Sequence, residues 1–276
     1  MSDKTLFVSD LDGTLLDNNC KVSEETAAVL NHLIETHNIM FTVATARTPA
    51  TVMPLLEKVN VKIPMVVMTG AALWNGFTGS YSNLNPISDE VLDSILEIAR
   101  SQGFNPFVYT MTGNSLSVYH SEVLSPVEAE FVKERDRSPY KKFHFTDAHP
   151  SGAPLLIFAT CEYPRLKAAY ERIMSLVECE AVCYHDIYNI GNGYLEIFAK
   201  GTTKASAIAN LARQLNADKV VAFGDNRNDI PMLMSSDIGV AMDNAFPEVK
   251  RIADVIIGDN SCDSVAHWIL DNWDKI

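Results

Sequence analysis

No apolar run in the sequence approaches the roughly 20 residues that a helix needs to span a bilayer, which excludes a helical membrane protein. Cysteine is scarce and odd in number, with five residues at positions 20, 161, 179, 183 and 262, most of them in apolar surroundings. Such a set does not form a disulfide framework and suits reduced thiols in a reducing compartment. Positive charge is in deficit: 22 Lys and Arg stand against 35 Asp and Glu, a net charge of −13. That balance argues against a polyanionic partner such as nucleic acid. There is no internal repeat and no low-complexity segment. Met1-Ser2-Asp3-Lys4 leads straight into an apolar run, leaving no room for a signal peptide. What is present is a chain of 276 residues, 47% hydrophobic, enough for a full core in one or two domains. The expectation is a cytoplasmic enzyme with no membrane partner.

The stretch Ser9-Asp10-Leu11-Asp12-Gly13-Thr14 follows the apolar run Leu6-Phe7-Val8. Alternate side chains of an extended segment share a face, so Asp10 and Asp12 address one small site where the strand ends. Gly13 permits a sharp exit. Adjacent carboxylates resist ionising together, and a hard divalent cation with oxygen ligands, Mg²⁺, relieves that conflict. A calcium loop needs a Glu at its twelfth position. Counting from Asp10 that position is Lys21, so the calcium reading fails. A bare pair of solvated Asp residues at a strand–turn junction is the plain alternative, and it is matching segments downstream that outweigh it.

Val43-Ala44-Thr45-Ala46-Arg47 closes the next apolar strand with a hydroxyl and a guanidinium beyond it. Gly201-Thr202-Thr203-Lys204 places a cation at the opening of a helix, where the dipole disfavours one unless an anion is near. Phe223-Gly224-Asp225-Asn226-Arg227-Asn228-Asp229 closes a further strand with acid and amide side chains clustered after it. These four segments, in this order, resemble the four motifs of the haloacid dehalogenase superfamily of phosphohydrolases. They look most like its Cof-type branch, in which a large C2-type cap lies between the second and third motifs. Asp229-Ile230-Pro231-Met232-Leu233 and Gly239-Val240-Ala241-Met242-Asp243-Asn244-Ala245 resemble that branch's C-terminal signature. One departure is Thr69-Gly70-Ala71, where the branch usually has Asn-Gly-Ala.

The resemblance implies a Mg²⁺-dependent phosphatase acting on a small phosphorylated metabolite, a sugar phosphate first among the candidates. In it Asp10 attacks phosphorus and becomes an aspartyl phosphate, while Asp12 is general acid and then general base. Asp10, the Asp12 backbone carbonyl and Asp225 hold Mg²⁺, with Asp229 behind the metal or positioning Lys204. Thr45 and Lys204 stabilise the transferring group, and Leu11, Ala46, Arg47 and Asn228 complete the phosphate contacts. Two other functions use the same motifs differently: a mutase that returns the phosphoryl group to a sugar, and a catalytically silent binding module. Intact Asp10, Asp12, Lys204 and Asp225 argue against the last. Blander readings exist residue by residue, with Thr45 as a loop cap, Arg47 on the surface and Lys200 as a competitor for the place of Lys204.

Apolar strands at Leu6–Ser9, Ile39–Ala44 and Met65–Met68 alternate with helical periodicity after Ser23 and after Thr48-Pro49, where Pro54 predicts a short or kinked helix. From about Asn83 the rhythm changes to helices after Ser88, after Ser125 and over Arg165–Val177. Strand-like runs stand between them, the last at Tyr194–Phe198. Alternation resumes at Lys204. The predicted fold is α/β: a Rossmann-like, doubly wound parallel core sheet over residues 1–83 and 199–276, with an inserted α+β cap over 84–198. Within the cap, Cys179, Cys183 and His185 lack a fourth ligand at metal spacing, which argues against zinc. Lys133, Arg135, Arg137, Lys141 and Lys142, interleaved with Glu134 and Asp136, read as a solvated face, with recognition of an anionic substrate as the alternative.

Overall fold

The computed structural model describes residues 4–186 and 189–276. Met1, Ser2 and Asp3, read above as leading into the first strand, lie outside the described residues. The chain forms two compact units, one joining the segment up to Asn83 to Thr203–Ile276, the other being Leu84–Thr202.

The first unit begins with β1 (Thr5–Ser9), every residue of which is buried, as befits a strand covered on both faces. Helix α1 (Glu24–Thr36) starts where Ser23 Oγ accepts the Thr26 N–H at 2.9 Å, and it buries Ala27, Leu30, Leu33 and Ile34. After β2 (Met40–Val43), α2 (Pro49–Leu55) has Thr48 at its N-cap position without a side-chain capping bond, and it ends one residue beyond Pro54. Strand β3 (Met65–Val67) touches the end of β2 through a single parallel bridge, Ala44 to Val66. The chain then reverses through Met68, Thr69 and Gly70, all with positive φ. Strands β4 (Ala72–Asn75) and β5 (Ser80–Ser82) pair antiparallel onto β3.

The second unit contains α3 (Asp89–Ser101), β6 (Phe107–Thr112), β7 (Ser115–His120), α4 (Pro126–Lys133), β8 (Lys142–Phe145), β9 (Ala153–Glu162), α5 (Tyr163–Leu176), β10 (Cys179–His185) and β11 (Asn192–Ala199). Its sheet has the order β10-β11-β9-β6-β7-β8, antiparallel except at β7–β8. One face packs on α3 and α5 through Val108, Ile157 and Leu195 against Leu92, Ile95, Leu166 and Ile173. Cys179 and Cys183 belong to that packing, and His185 stacks on Tyr163. The opposite face presents Phe107 and Phe158 to Phe131 of α4, with ring centroids 5.1 and 4.8 Å apart.

The first unit resumes with α6 (Lys204–Leu215), β12 (Lys219–Gly224), α7 (Ile230–Ser235), β13 (Ile238–Ala241), α8 (Pro247–Ile252), β14 (Val255–Ile256) and α9 (Ser264–Asn272). Its parallel sheet runs β14-β13-β12-β1-β2. From β1 the early strands proceed to one side and the late strands to the other, so strand order switches between β1 and β12. In open α/β sheets a switch point at the carboxyl ends is where ligands bind. The five cysteines are unpaired, and among the described residues no helix is long and apolar enough to cross a membrane.

Candidate active site

Asp10 is the first residue after β1, and its backbone N–H donates to Phe223 O of β12 at 2.9 Å. That bond fixes the carboxyl end of one central strand to the other, so Asp10 and Asp225, 215 positions apart in sequence, meet there. The carboxylate of Asp10 is almost wholly buried, and its Oδ1 accepts a hydrogen bond from Lys204 Nζ at the start of α6. Lys204 is buried as well and donates to Asp229 Oδ1 at 2.8 Å. Asp229 has no solvent exposure, and its other oxygen accepts the N–H groups of Asp225 and Asn226 at 3.2 and 3.0 Å. Both oxygens of Asp229 are therefore committed to holding Lys204 and the turn after β12. Lys200 lies elsewhere, in the second unit, paired at the surface with Glu178.

Asp225 stands beside Asp10 at the end of β12, and its Oδ1 accepts from Thr14 Oγ1 at 3.0 Å. Gly13 makes this approach possible. Its φ is +81°, and a Cβ built there would lie 2.5 Å from Asp225 Oδ2, so no L side chain fits either the backbone or the space. The loop is held from outside by Asn244, whose Nδ2 donates to Gly13 O at 2.8 Å, and by Asn260, which donates to Leu16 O at 2.7 Å. Neither role was foreseen. Asn244 sits within the C-terminal signature, which was its one sequence signal, and Asn260 gave none.

The Asp12 side chain is turned away from this cluster and is half exposed. Arg47 grips it with both ends of its fork, Nε at 2.7 Å and Nη2 at 2.6 Å from the two carboxylate oxygens. This bidentate bond keeps the Arg47 guanidinium firmly charged against the opposing effect of its burial. Any contact of Asp12 with a cation in the carboxylate cluster is accordingly left to its backbone. Thr45 is buried, its N–H donates to Val66 O at 3.0 Å, and its Oγ1 accepts the Arg47 N–H at 3.2 Å. Leu11 buries its side chain completely, so only its backbone is available to a ligand, while Ala46 is half-buried and Asn228 exposed. Thr69 has φ +56°, and its N–H donates to Thr45 O at 3.0 Å. The adjoining Gly70, at φ +102°, would place a Cβ 2.3 Å from Thr203 O, which ties this turn to the N-cap of α6.

The site is rich in acid and largely buried. Burial first, then the charges of Asp229 and Asp225, push the Asp10 carboxyl up to about 8 although Lys204 opposes them. Burial likewise pushes Asp225 up to about 6, against the hydrogen bond from Thr14. Burial works against a charged Lys204, but Asp10 and Asp229 outweigh it and hold the ammonium above its ordinary range. Carboxylate oxygens of Asp10, Asp225 and Asp229 lie within 4.8 Å of one another. Asp10 Oδ2 and Asp225 Oδ2 make no hydrogen bond within the described residues. Two unengaged, mutually repelling carboxylate oxygens are the donor set a hard divalent cation requires, so the residues fit one, with Asp229 supporting Lys204 behind them.

Comparison with known proteins bears on the family and the fold. A putative phosphatase of Haemophilus influenzae is 27% identical over 278 residues, which is 95% of each chain. The 5-amino-6-(5-phospho-D-ribitylamino)uracil phosphatase of Bacillus subtilis is 26% identical over 274 residues, 97% of each chain. The solved structure of a subclass IIB sugar phosphatase superposes with a TM-score of 0.74 at 21% identity, covering 97% of this chain and 98% of its own. The family model of the haloacid dehalogenase-like hydrolases matches residues 7–269. Asp10, Lys204 and Asp225 meeting at the switch point are thus set in a chain that belongs to the haloacid dehalogenase-like hydrolases, as the order of its motifs implied.

Proposed function

We propose that the protein is a cytoplasmic, Mg²⁺-dependent phosphatase that hydrolyses small phosphomonoesters, sugar phosphates among them, through a phosphoryl group carried on Asp10. The observation that carries this reading is the Asp10 carboxylate, buried at the carboxyl end of β1 and held by Lys204 within a cluster of acids. A phosphoryl group is the electrophile whose negative charge such a buried ammonium balances. The names of the relatives support a small phosphorylated substrate, since they include the 5-amino-6-(5-phospho-D-ribitylamino)uracil phosphatase. Five unpaired cysteines suit a reducing compartment.

Asp10 attacks phosphorus, splitting a very slow hydrolysis into two easier transfers. Lys204, fixed by Asp229, remains beside the nucleophile and balances charge on the transferring group. Asp10 and Asp225 would hold Mg²⁺, which supplies Lewis-acid polarisation of a phosphate oxygen. Arg47 touches both Thr45, through its N–H, and Asp12, through its guanidinium. Arg47 exchanges its grip on Asp12 for the incoming phosphate, to which its planar fork is equally suited. Asp12, so released, takes up a proton from solvent, gives it to the leaving alkoxide and later takes one from the attacking water. Thr69, shorter than the Asn usual in the branch, leaves substrate contact at that position to its neighbours.

The test is phosphate release from a broad panel of phosphomonoesters, with Mg²⁺ and with excess chelator. Metal-dependent release from a subset of sugar phosphates is expected. Equal release by wild type and Asp10→Asn, or none from any ester, would overturn the proposal.

A further inference from the structure

A cavity of about 590 Å³ lies in the first unit, between the C-terminal end of α2, the loop that follows it and the β4–β5 turn, and it shares no residue with the acid cluster. Its floor is apolar: Leu56, Val59 and Met65 are buried there, with Met53 half-buried beside them. Phe77, in the turn, borders the cavity and is 89% exposed. The turn is built to hold it there. Asn75 Oδ1 accepts the N–H groups of Phe77 and Thr78, both at 3.0 Å. Gly76 packs so closely on the cavity wall that a Cβ would lie 3.1 Å from Met53 Cε and 3.2 Å from Met65 Cε. Trp74 Nε1 in turn donates to Met53 Sδ at 3.3 Å. A large apolar ring is thus displayed to water on a fixed turn beside an apolar hollow. The lining also includes one acid and one base, Glu57 and Lys62, both exposed and neither in an ion pair among the described residues, whereas the neighbouring Lys58 is engaged with Glu24.

We propose that this face binds a second copy of the chain in a two-fold dimer, in which Phe77 of each copy enters the hollow of the other and Glu57 pairs with the partner's Lys62. A dimer of this kind is independent of the phosphatase chemistry. In a two-fold contact the same patch serves on both sides, so the patch must contain both halves of every interaction it makes. This one does so twice, as ring and hollow and as acid and base. A chain of net charge −13 repels its own copy at long range, so association is favoured where charges of both signs can pair across the contact. A strongly basic or acidic partner would instead be matched by lining charges of one sign. A small apolar ligand could fill a hollow of this volume, but it would not cover a ring that stands almost fully in water at the edge. An aromatic anchor seated in a pocket of the partner is the usual centre of an interface, and a turn already fixed lowers the cost of ordering it. The ten lining residues are fewer than the roughly 20–30 a side of a standard interface, so the dimer is a reversible one of micromolar affinity.

Sedimentation velocity of the full chain from about 1 to 200 µM, which brackets micromolar dissociation constants, reads the assembly. Wild type is expected to pass from monomer to dimer over that range. Phe77→Ser, Glu57→Lys and Lys62→Glu should each weaken dimerisation roughly tenfold or more, since every substitution spoils the contact at two symmetry-related places. The most discriminating arm mixes the two charge variants. Glu57→Lys carries two bases in the lining and Lys62→Glu two acids, so each repels its own copy, whereas an equimolar mixture should dimerise at the concentrations wild type needs. All three side chains are exposed, so circular dichroism and Tm should match wild type and certify the fold of each variant. Wild type that stays monomeric throughout the range overturns the inference, and 1-anilinonaphthalene-8-sulfonate fluorescing on that monomer would give the hollow to a small ligand instead. Dimerisation unchanged in Phe77→Ser also overturns it, because the dimer then uses another face. Failure of the mixture to dimerise where wild type does removes the pairing of Glu57 with the partner's Lys62, and with it the two-fold arrangement.

Discussion

Lys204→Met removes the ammonium that joins Asp10 to Asp229 while keeping much of the side-chain volume. Breaking a buried ion pair by deleting one partner costs ~3–5 kcal/mol, because the remaining charge is left uncompensated. For a chain of this size that corresponds to a fall in Tm on the order of 10 °C. The loss must depend on pH in a particular direction. Asp10 and Asp225 are raised from 3.8 to about 8 and about 6. A carboxyl raised in the folded state contributes its full stability below its unfolded value, and that contribution is lost as pH rises through the folded value. Near pH 5 the cluster without Lys204 takes up protons and tolerates the loss. Near pH 8.5 it must carry unpaired charge. Thermal unfolding of wild type and Lys204→Met in chelator, at the two pH values, should show the larger Tm gap at pH 8.5. An equal gap at both, or none, would refute the view that Lys204 is held by charge rather than by packing. Phosphatase turnover of the variant should fall by about a thousandfold or more, the scale for losing a preorganised charge at a reacting group.

Mg²⁺ should raise the Tm of wild type more at pH 8 than at pH 5, because the Asp10 and Asp225 oxygens it needs are protonated at the lower pH; a thermal-shift titration reads this, and a pH-independent shift would contradict it. Gly13→Ala should destabilise the fold by about 1–3 kcal/mol and reduce activity sharply, since the new methyl meets Asp225 at 2.5 Å; urea unfolding with a parallel assay checks both. Asp12→Asn should slow the first half-reaction much more for a sugar phosphate than for p-nitrophenyl phosphate, whose leaving group departs without a proton. Equal defects in single-turnover measurements would assign Asp12 a positioning role instead.

The elements with a strong local signal were legible. Helix α6 begins at Lys204, where alternation was expected to resume, and α4 opens after Ser125 as expected. The segments that carry Asp10, Thr45, Lys204 and Asp225 were found by order and chemistry. What escaped was whatever depends on contact between distant segments. The reversal at Met68-Thr69-Gly70, which creates β4 and β5, uses left-handed backbone at two non-glycine residues and so leaves no mark in composition. Which of its two expected roles Asp229 takes, holding Lys204, and that Asp12 faces Arg47 rather than the acid cluster, are matters of side-chain direction. Lys141 and Lys142 are indistinguishable as letters, yet one is buried among three rings and the other is solvated.

The central claim is that the phosphoryl group is carried on Asp10. In Asp12→Asn the second half-reaction lacks its base, so the phosphorylated enzyme should accumulate with p-nitrophenyl phosphate. Rapid quenching, borohydride reduction and peptide mass mapping then locate it, because an acyl phosphate is reduced to the alcohol whereas a free carboxylate is not. The account predicts conversion of residue 10 alone to homoserine, dependent on both substrate and Mg²⁺. Reduction at another acid, or none while phosphate is still being released, would contradict it.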